Sequence, residues 1–452
     1  MNKQSMKEVV NQLAEQHTEK VKLGVTDIDG ILRGKVISFE KFKGIAEKGF
    51  GFCDVIFGWD AADQAYDNAK ITGWHSGYPD ATAYADPGTL RRIPWDQDIP
   101  FFLADFTDAD GQGLFSCPRS LLKRVLRQSR EEGFLPKFSQ EFEWFNFIDN
   151  REELVSSGFR NFKPLTHGMF GYSILRASQR SAYFNDLFDS LTKFGVPIEG
   201  IHTETGPGVY EAAILYADLV EAADRAVLFK SGVKEIAYRH GVMATFMAKF
   251  SEQLPGCSGH VHQSLWSEDG SQNLFYDKSG ISSLMESYIA GQLYCMPHIL
   301  PMYAPTINSY KRLVEGAWAP TTLTWAYDNR TTAIRVLKSG SHSTRVETRV
   351  VGSDSNPYLA MAGCLASGLY GIRKGLTLQV PPTSGSGYAD KKNGILPKNL
   401  WESTQAMRTS AVAKELFGED FVDHFTGTRE WEWRQFAKVV TDWELKRYFE
   451  II

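Results

Sequence analysis

The sequence has no run of about 18 apolar residues, the length a membrane-spanning helix requires, so no spanning segment is expected. It also has no block of one charge. Its 49 Lys and Arg stand against 54 Asp and Glu, and the formal net charge of −5 offers neither a nucleic-acid footprint nor a basic membrane-facing surface. The five cysteines (Cys53, Cys117, Cys257, Cys295, Cys364) are odd in number and nowhere at CxxC spacing. That pattern argues against a disulfide framework or a structural zinc site and fits a reducing, cytoplasmic setting. The N-terminal stretch MNKQSMKEVVNQLAEQ lacks the apolar core of a secretory signal. No internal repeat is visible, and the Pro/Gly/Ser cluster at 381–387 is too short to be a linker. What is present is the ordinary balance of a large globular enzyme: 452 residues, 43% hydrophobic and 23% charged, enough for roughly two to four domains.

Residues 1–110 read as a small domain. Val21, Leu23 and Val25 alternate with polar neighbours, and Asp29-Gly30 offers a tight turn before Ile31 and Val36. The stretch from Phe50 to Asp80 reads as long loops, and an apolar strand is expected near Phe101–Phe106. The polar break at 108–113 marks the boundary, and 111–452 form the second domain. Helices are expected over Pro118–Glu132, Leu215–His240 and Ile281–Met296, with VMATFMAKF (242–250) strand-like. The C-terminal Trp431, Trp433, Trp443 and Tyr448 read as amphipathic helices packed in the core or against another subunit.

Four stretches place functional side chains two apart: Glu141-Phe-Glu143, His260-Val-His262, Arg345-Val-Glu347 and Glu347-Thr-Arg349. On a strand, residues i and i+2 share a face, so each stretch aims two groups at one place. Exposed alternation is the ordinary explanation for the first pair. Its aromatic flanks argue for burial, however, and buried carboxylates need a cation. Glu204 and Glu211 flank a Gly-Pro-Gly turn and bring the carboxylates to four, enough to hold two hard cations that keep positions for water and phosphate. Arg312, Arg330, Arg335, Arg345 and Arg349 fall among apolar segments (TTLTWAY, TTAIRVL), and buried guanidiniums need anionic partners such as phosphate or carboxylate.

These residues resemble the glutamine synthetase family. The similarity rests on EFEWF (141–145), HTETGPGVYE (202–211), SGHVHQS (258–264), NSYKRLVEG (308–316), NRTTAIR (329–335), RVETR (345–349) and NPYLA (356–360), in that order. The resemblance implies an α+β glutamine synthetase fold: a β-grasp-like N-terminal domain, then a catalytic domain with a curved antiparallel sheet and helices. It implies two or more Mg²⁺ or Mn²⁺ ions per site, with ATP and glutamate as substrates. It also implies a homo-oligomer of hexameric rings, a dodecamer favoured, with active sites at subunit interfaces. Glu141, His260 and Glu347 match the ligands of one metal; Glu143, Glu204 and Glu211 match those of another. Arg312 and Arg349 match residues at the α- and γ-carboxylates of glutamate. Arg330 and Arg335 match phosphate-binding positions, Arg330 with a catalytic role. Glu199, His262, Ser264 and Arg345 match nucleotide-lining residues.

Two departures concern the second substrate and a third the glutamate site. The family's flap carries a glutamate where this chain has Trp318, and an acid instead appears at Glu315. The ammonium-pocket motif is replaced by Trp59-Asp60-Ala61-Ala62-Asp63. The turn that contacts glutamate reads Gly256-Cys257-Ser258-Gly259. A carboxylate can bind ammonium and take its proton, whereas an indole can do neither as a base but can hold an organic cation or pack on an alkyl or aryl group. The expectation is therefore an ATP-dependent γ-glutamyl ligase for an organic amine, with Trp318, Glu315, Asp60 and Asp63 as candidates for handling the amine. A glutamine synthetase using ammonia and a non-catalytic structural member are the alternatives. The second would have broken metal or arginine positions, and none is broken.

Overall fold

The computed structural model describes residues 5–108, 110–278 and 280–452. The remaining residues, 1–4, 109 and 279, include part of the N-terminal stretch and one position of the polar break, which lie outside the described residues.

The fold is α+β. A first sheet contains β1 (Lys20–Thr26), β2 (Leu32–Ser38), β3 (Phe50–Cys53), β4 (Asp80–Ala85), β5 (Arg91–Ile93) and β6 (Ile99–Thr107). Its order is β2-β1-β6-β4-β3, with β5 beside β6 and β1 parallel to β6. The β1–β2 turn forms where expected: the Asp27 carboxylate accepts from the amides of Asp29 and Ile31, and Gly30 takes a φ of +81°. The apolar run in β6 is buried on both faces. Phe102, Ala104 and Phe106 join a small core with Val9, Leu13 and Phe42, while Phe101 and Leu103 face the large core.

A second sheet contains β7 (Phe134–Ile148), β8 (Ile198–Thr203), β9 (Val209–Ile214), β10 (Ala217–Asp218), β11 (Val242–Thr245) and β12 (Val261–Ser267). After a small hairpin, β13 (Tyr276–Asp277) and β14 (Gly280–Ile281), it is completed by β15 (Trp325–Tyr327), β16 (Ile334–Leu337) and β17 (Arg345–Thr348). The order is β15-β16-β17-β12-β7-β9-β8, antiparallel except at β15–β16. One face is packed against helices, with Phe142 stacked on Phe229 and Trp144 edge-on to it. A buried network ties this face together. The Gln263 carboxamide oxygen accepts from Tyr288 and Gln292, and its nitrogen donates to the Thr348 hydroxyl. A slip of one residue would bury the opposite, charged face, so this network and the aromatic packing fix the register of β7, β12 and β17.

Some local expectations are corrected. The long helix is Leu219–Arg239, because Ala217 and Asp218 pair with Phe138 and Lys137 on β7. The next is Ser283–Ile299, started by the Ser282 hydroxyl, which accepts from the Met285 amide. Of VMATFMAKF only Val242–Thr245 is strand, and the 50–80 stretch opens with β3 and a short 3₁₀ turn (Asp54–Phe57). Trp443 and Tyr448 are not in the core. They lie in the exposed helix Asp442–Tyr448, beside exposed Val439, Val440, Phe449, Ile451 and Ile452.

Candidate active site

Strand register assembles the charged face. Glu143 on β7 lies opposite Glu211 on β9, which lies opposite His202 on β8. On the other side His262 of β12 faces Glu347 of β17, which faces Arg335 of β16. The amides of Glu141 and Glu143 donate to the carbonyls of His260 and Ser258, which brings the Gly-rich turn alongside β7.

Two donor groups result. Glu141 and Glu347 converge on His260, whose Nδ1 lies 2.9 Å from Glu141 Oε1 and 3.3 Å from Glu347 Oε1. His262 Nε2 lies 3.4 Å from Glu141 Oε2. In the second group, His202 stands 3.8 Å from both Glu204 Oε2 and Glu211 Oε2. Glu141, His262 and Glu347 offer ligand atoms within 4.8 Å of one another, as do His202, Glu204 and Glu211. Glu143 sits between the groups, its Oε2 accepting from the Ser258 amide at 2.7 Å.

The electrostatics fit divalent cations. Burial, then repulsion from Glu141, Glu143 and Glu204, pushes Glu211 up to about 10, and burial is the main cause that pushes Glu143 up to about 7. Burial drives His260 down to about 4, so its imidazole is neutral at neutral pH and able to ligate. His260 Nε2 and Glu204 Oε2 are buried without a hydrogen-bond partner. Crowded carboxylates and a neutral His260 imidazole with an unpartnered ring nitrogen are a donor set suited to Mg²⁺ or Mn²⁺. Sequence reading missed His202, although its spacing two before Glu204 repeats the pattern used for the other pairs. It also assigned His262 to the nucleotide alone, whereas the ring bridges Glu141 and Arg345, whose Nε lies 3.2 Å from His262 Nδ1.

The arginines differ in what they hold. Glu347, wholly buried, is gripped on one oxygen by Arg335 Nη1 at 2.8 Å and on the other by Arg349. Burial would raise its pKa, but the Arg349 guanidinium beside it outweighs burial and holds the carboxylate below its usual range. The outer edge of Arg335 is taken by Asp328, and Arg349 Nε donates to the Arg330 carbonyl. Arg312 is buried and donates to the carbonyls of Val350 and Arg349 and to the Ser258 hydroxyl. No carboxylate forms an ion pair with it among the described residues, so an anionic ligand would complete its environment. Gly256 lies beneath Arg312, where a Cβ would come within 2.4 Å of the Ala248 carbonyl, and the buried Cys257 amide donates to that same carbonyl. The Arg330 side chain is exposed beside this group.

A cavity of about 200 Å³ opens next to His262. Glu141, Glu199, Ser264 and Arg345 line it together with Trp266, Tyr216 and His342. Lys137 lies over the Trp266 ring at 4.5 Å. Flat aromatic walls leading to histidine and arginine suit a base attached to phosphates.

The acceptor candidates are not drawn into this cluster. Glu315 pairs with Lys391 at 2.8 Å on the surface. Asp60 accepts from the amides of Ala62 and Gln64 and from the Trp431 indole, and Asp63 pairs with Arg33. Each has found a nearer partner, so within one chain none of the three faces the carboxylates. Trp318 is 57% exposed, at a left-handed φ of +58°, just after Gly316 at +79°. Tyr172, another residue the sequence did not single out, lays its ring over His202 with centroids 4.4 Å apart.

Residues 115–448 match the family model described as glutamine synthetase, catalytic domain. The chain is 52% identical to type-1 glutamine synthetase 2 of Dictyostelium discoideum over 450 residues, covering 98% of this chain and 86% of that one. It is 35% identical to a glutamate–isopropylamine ligase of a Pseudomonas species, covering 100% and 99% respectively. Among solved structures, one described as a GmaS/ADP complex superposes with a TM-score of 0.84 at 27% identity, covering 97% of this chain and 99% of that one.

Proposed function

This chain belongs to the glutamine synthetase family, and from that premise we propose that it joins the γ-carboxylate of glutamate to an organic amine at the expense of ATP. The observation that carries the reading is Trp318. The indole stands at the flap's acid position and is more than half exposed. A tryptophan that served only to pack the flap would be buried within it. An exposed indole presents an apolar face to whatever the flap closes upon.

In this reading the cavity beside His262 takes the nucleotide, with Ser264, Glu199 and Arg345 along its walls, and Arg335 and Arg330 meet its phosphates. Arg312 and Arg349 hold the two carboxylates of glutamate. Glu141, His260 and Glu347, with His262 at their edge, would hold one divalent cation. Glu143, Glu204 and Glu211, joined by His202, would hold another. Such ions neutralise phosphate charge and polarise the transferred phosphoryl group. The chain's own residues align the γ-carboxylate with the terminal phosphate, giving a γ-glutamyl phosphate that the amine then attacks as phosphate leaves. Assembly into hexameric rings, with sites completed between subunits, belongs to the same proposal. The exposed apolar C-terminal segment supports association, since large apolar patches left in water mark interfaces.

Ammonia is the second reading, favoured by the 52% identity to a glutamine synthetase. Phosphate release from ATP with glutamate and Mg²⁺ separates the two. Turnover with alkyl- or arylamines well above that with ammonium supports the proposal; ammonium alone as substrate overturns it.

A further inference from the structure

Arg335 is shared between two carboxylates of very different standing. Glu347 takes Nη1 at 2.8 Å, is wholly buried on a central strand, and is held on its other oxygen by Arg349. Asp328 takes the side edge instead, with one oxygen, Oδ1, accepting from both Nε at 2.9 Å and Nη2 at 2.6 Å. Its side chain is 70% exposed, and its φ is +45°. An exposed anion that bridges two N–H groups of one guanidinium edge occupies the position a phosphate oxygen takes in side-on recognition.

The backbone around Asp328 is pinned. Its amide donates to the Val336 carbonyl, Asn329 Nδ2 donates to the Gly385 carbonyl at 2.7 Å, and Thr331 closes on Asn329. The Arg330 carbonyl is held by Arg349 Nε at 3.1 Å. The turn therefore stays where it is, and only the Asp328 side chain is free to swing into solvent by rotation about its own bonds. Arg330 also lies within the electrostatic reach of Asp328. One exposed carboxylate is thus paired with Arg335 and feels the charge of Arg330, the two arginines assigned to phosphate.

We propose that Asp328 is a placeholder anion: it occupies the side edge of Arg335 until a phosphate group takes that edge, and it returns when product leaves. This rests on the reading of Arg335 as a phosphate ligand. The placeholder lowers nucleotide affinity and favours product departure, because each incoming phosphate must displace an existing ion pair. A carboxylate that merely oriented Arg335 would do the opposite and strengthen binding.

Calorimetry with Mg²⁺ and a non-hydrolysable ATP analogue tests the idea, using wild type, Asp328→Asn and Arg335→Gln. Displacement predicts that Asp328→Asn binds the analogue about three- to tenfold tighter, lowers the KM for ATP without raising kcat, and is inhibited by less inorganic phosphate. Affinity unchanged or weakened in Asp328→Asn overturns the placeholder and makes Asp328 an orienting group. Asp328→Ala, which also removes the hydrogen bond, repeats the test should the amide variant fold poorly. Arg335→Gln decides the underlying reading separately. Binding at least tenfold weaker upholds Arg335 as a phosphate ligand whatever Asp328 does, and unchanged binding removes that role and the placeholder with it.

Discussion

Glu141, Glu143, Glu211 and Glu347 stand on strands whose opposite faces are locked by Phe142, Trp144 and Tyr210 and by the Gln263–Thr348 network. Trp318 and Glu315 stand instead in a flap fixed at its base, where Asn308 exchanges hydrogen bonds with the Lys249 backbone and Tyr310 meets Ser403, and beyond it by the exposed Glu315–Lys391 pair. The half of the site assigned to glutamate in the proposed reading is thus built into the core of the sheet, and the half assigned to the amine hangs from its rim. A substitution on a strand face disturbs register, packing and charge balance together. One in the flap changes a single exposed side chain. The acceptor can therefore diverge while activation is kept, as the names of the relatives, a glutamine synthetase and an isopropylamine ligase, illustrate.

The largest effect is expected at the locked half. Glu347→Gln keeps the shape but leaves Arg335 and Arg349 short of a counter-charge and removes a candidate metal ligand. Turnover should fall by about a thousandfold or more, with a lowered melting temperature. Phosphate-release assays and thermal melts check both, and activity within tenfold of wild type would break the assignment of this half. At the hanging half, Trp318→Glu restores an acid that can bind and deprotonate ammonium. The ratio of kcat/KM for ammonium to that for an organic amine should rise by about tenfold or more, without loss of stability. No change in that ratio would place amine selection elsewhere.

The same division explains what could be read in advance. Period-two spacing on β7, β12 and β17 is a local signal, so Glu141, Glu143, His260, His262 and Glu347 were legible from residues two apart. The β8–β9 hairpin was legible from its Gly-Pro-Gly turn. His202 carried the same local signal, two before Glu204, and went unread, although its pairing with Glu211 across the hairpin shows only in the fold; Tyr172 had no such signal, because its ring arrives from a loop some thirty residues earlier in the chain. The partners of Glu315 and Asp60 were invisible for the same reason: Lys391 and Trp431 come from distant segments that no local period connects to them.

A subtler difference between the halves should appear with pH. Without metal, Glu211 (pushed up to about 10) and Glu143 (about 7) retain protons that an unfolded chain would release near 4.5. The native state then binds more protons than the unfolded one, so stability falls as pH rises through that window. A divalent cation held by these carboxylates would replace those protons, so its stabilising effect should grow over the same range. Melting curves at about pH 5.5 and about pH 8.5, with and without Mg²⁺, should show the larger metal-induced shift at the higher pH. Equal shifts would mean that the crowded carboxylates do not receive the metal.

The smallest effect is expected from Glu315→Gln, and its smallness is informative. Glu315 is the only acid between Arg312 and Pro320, so it is the obvious substitute for the family's flap glutamate. The structure turns it toward Lys391, with both side chains more than half exposed. An ion pair of that kind contributes little, typically under about 1 kcal/mol. If Glu315 only tethers the flap to the 387–395 segment, the glutamine variant should change kcat/KM by no more than about twofold for any amine, with a slight loss of salt sensitivity. A fall of about a hundredfold or more, concentrated in kcat and steepest for the most basic amines, would show that the flap swings Glu315 inward on closure. The acceptor half would then contain a proton acceptor after all, and Trp318 would be left with recognition alone.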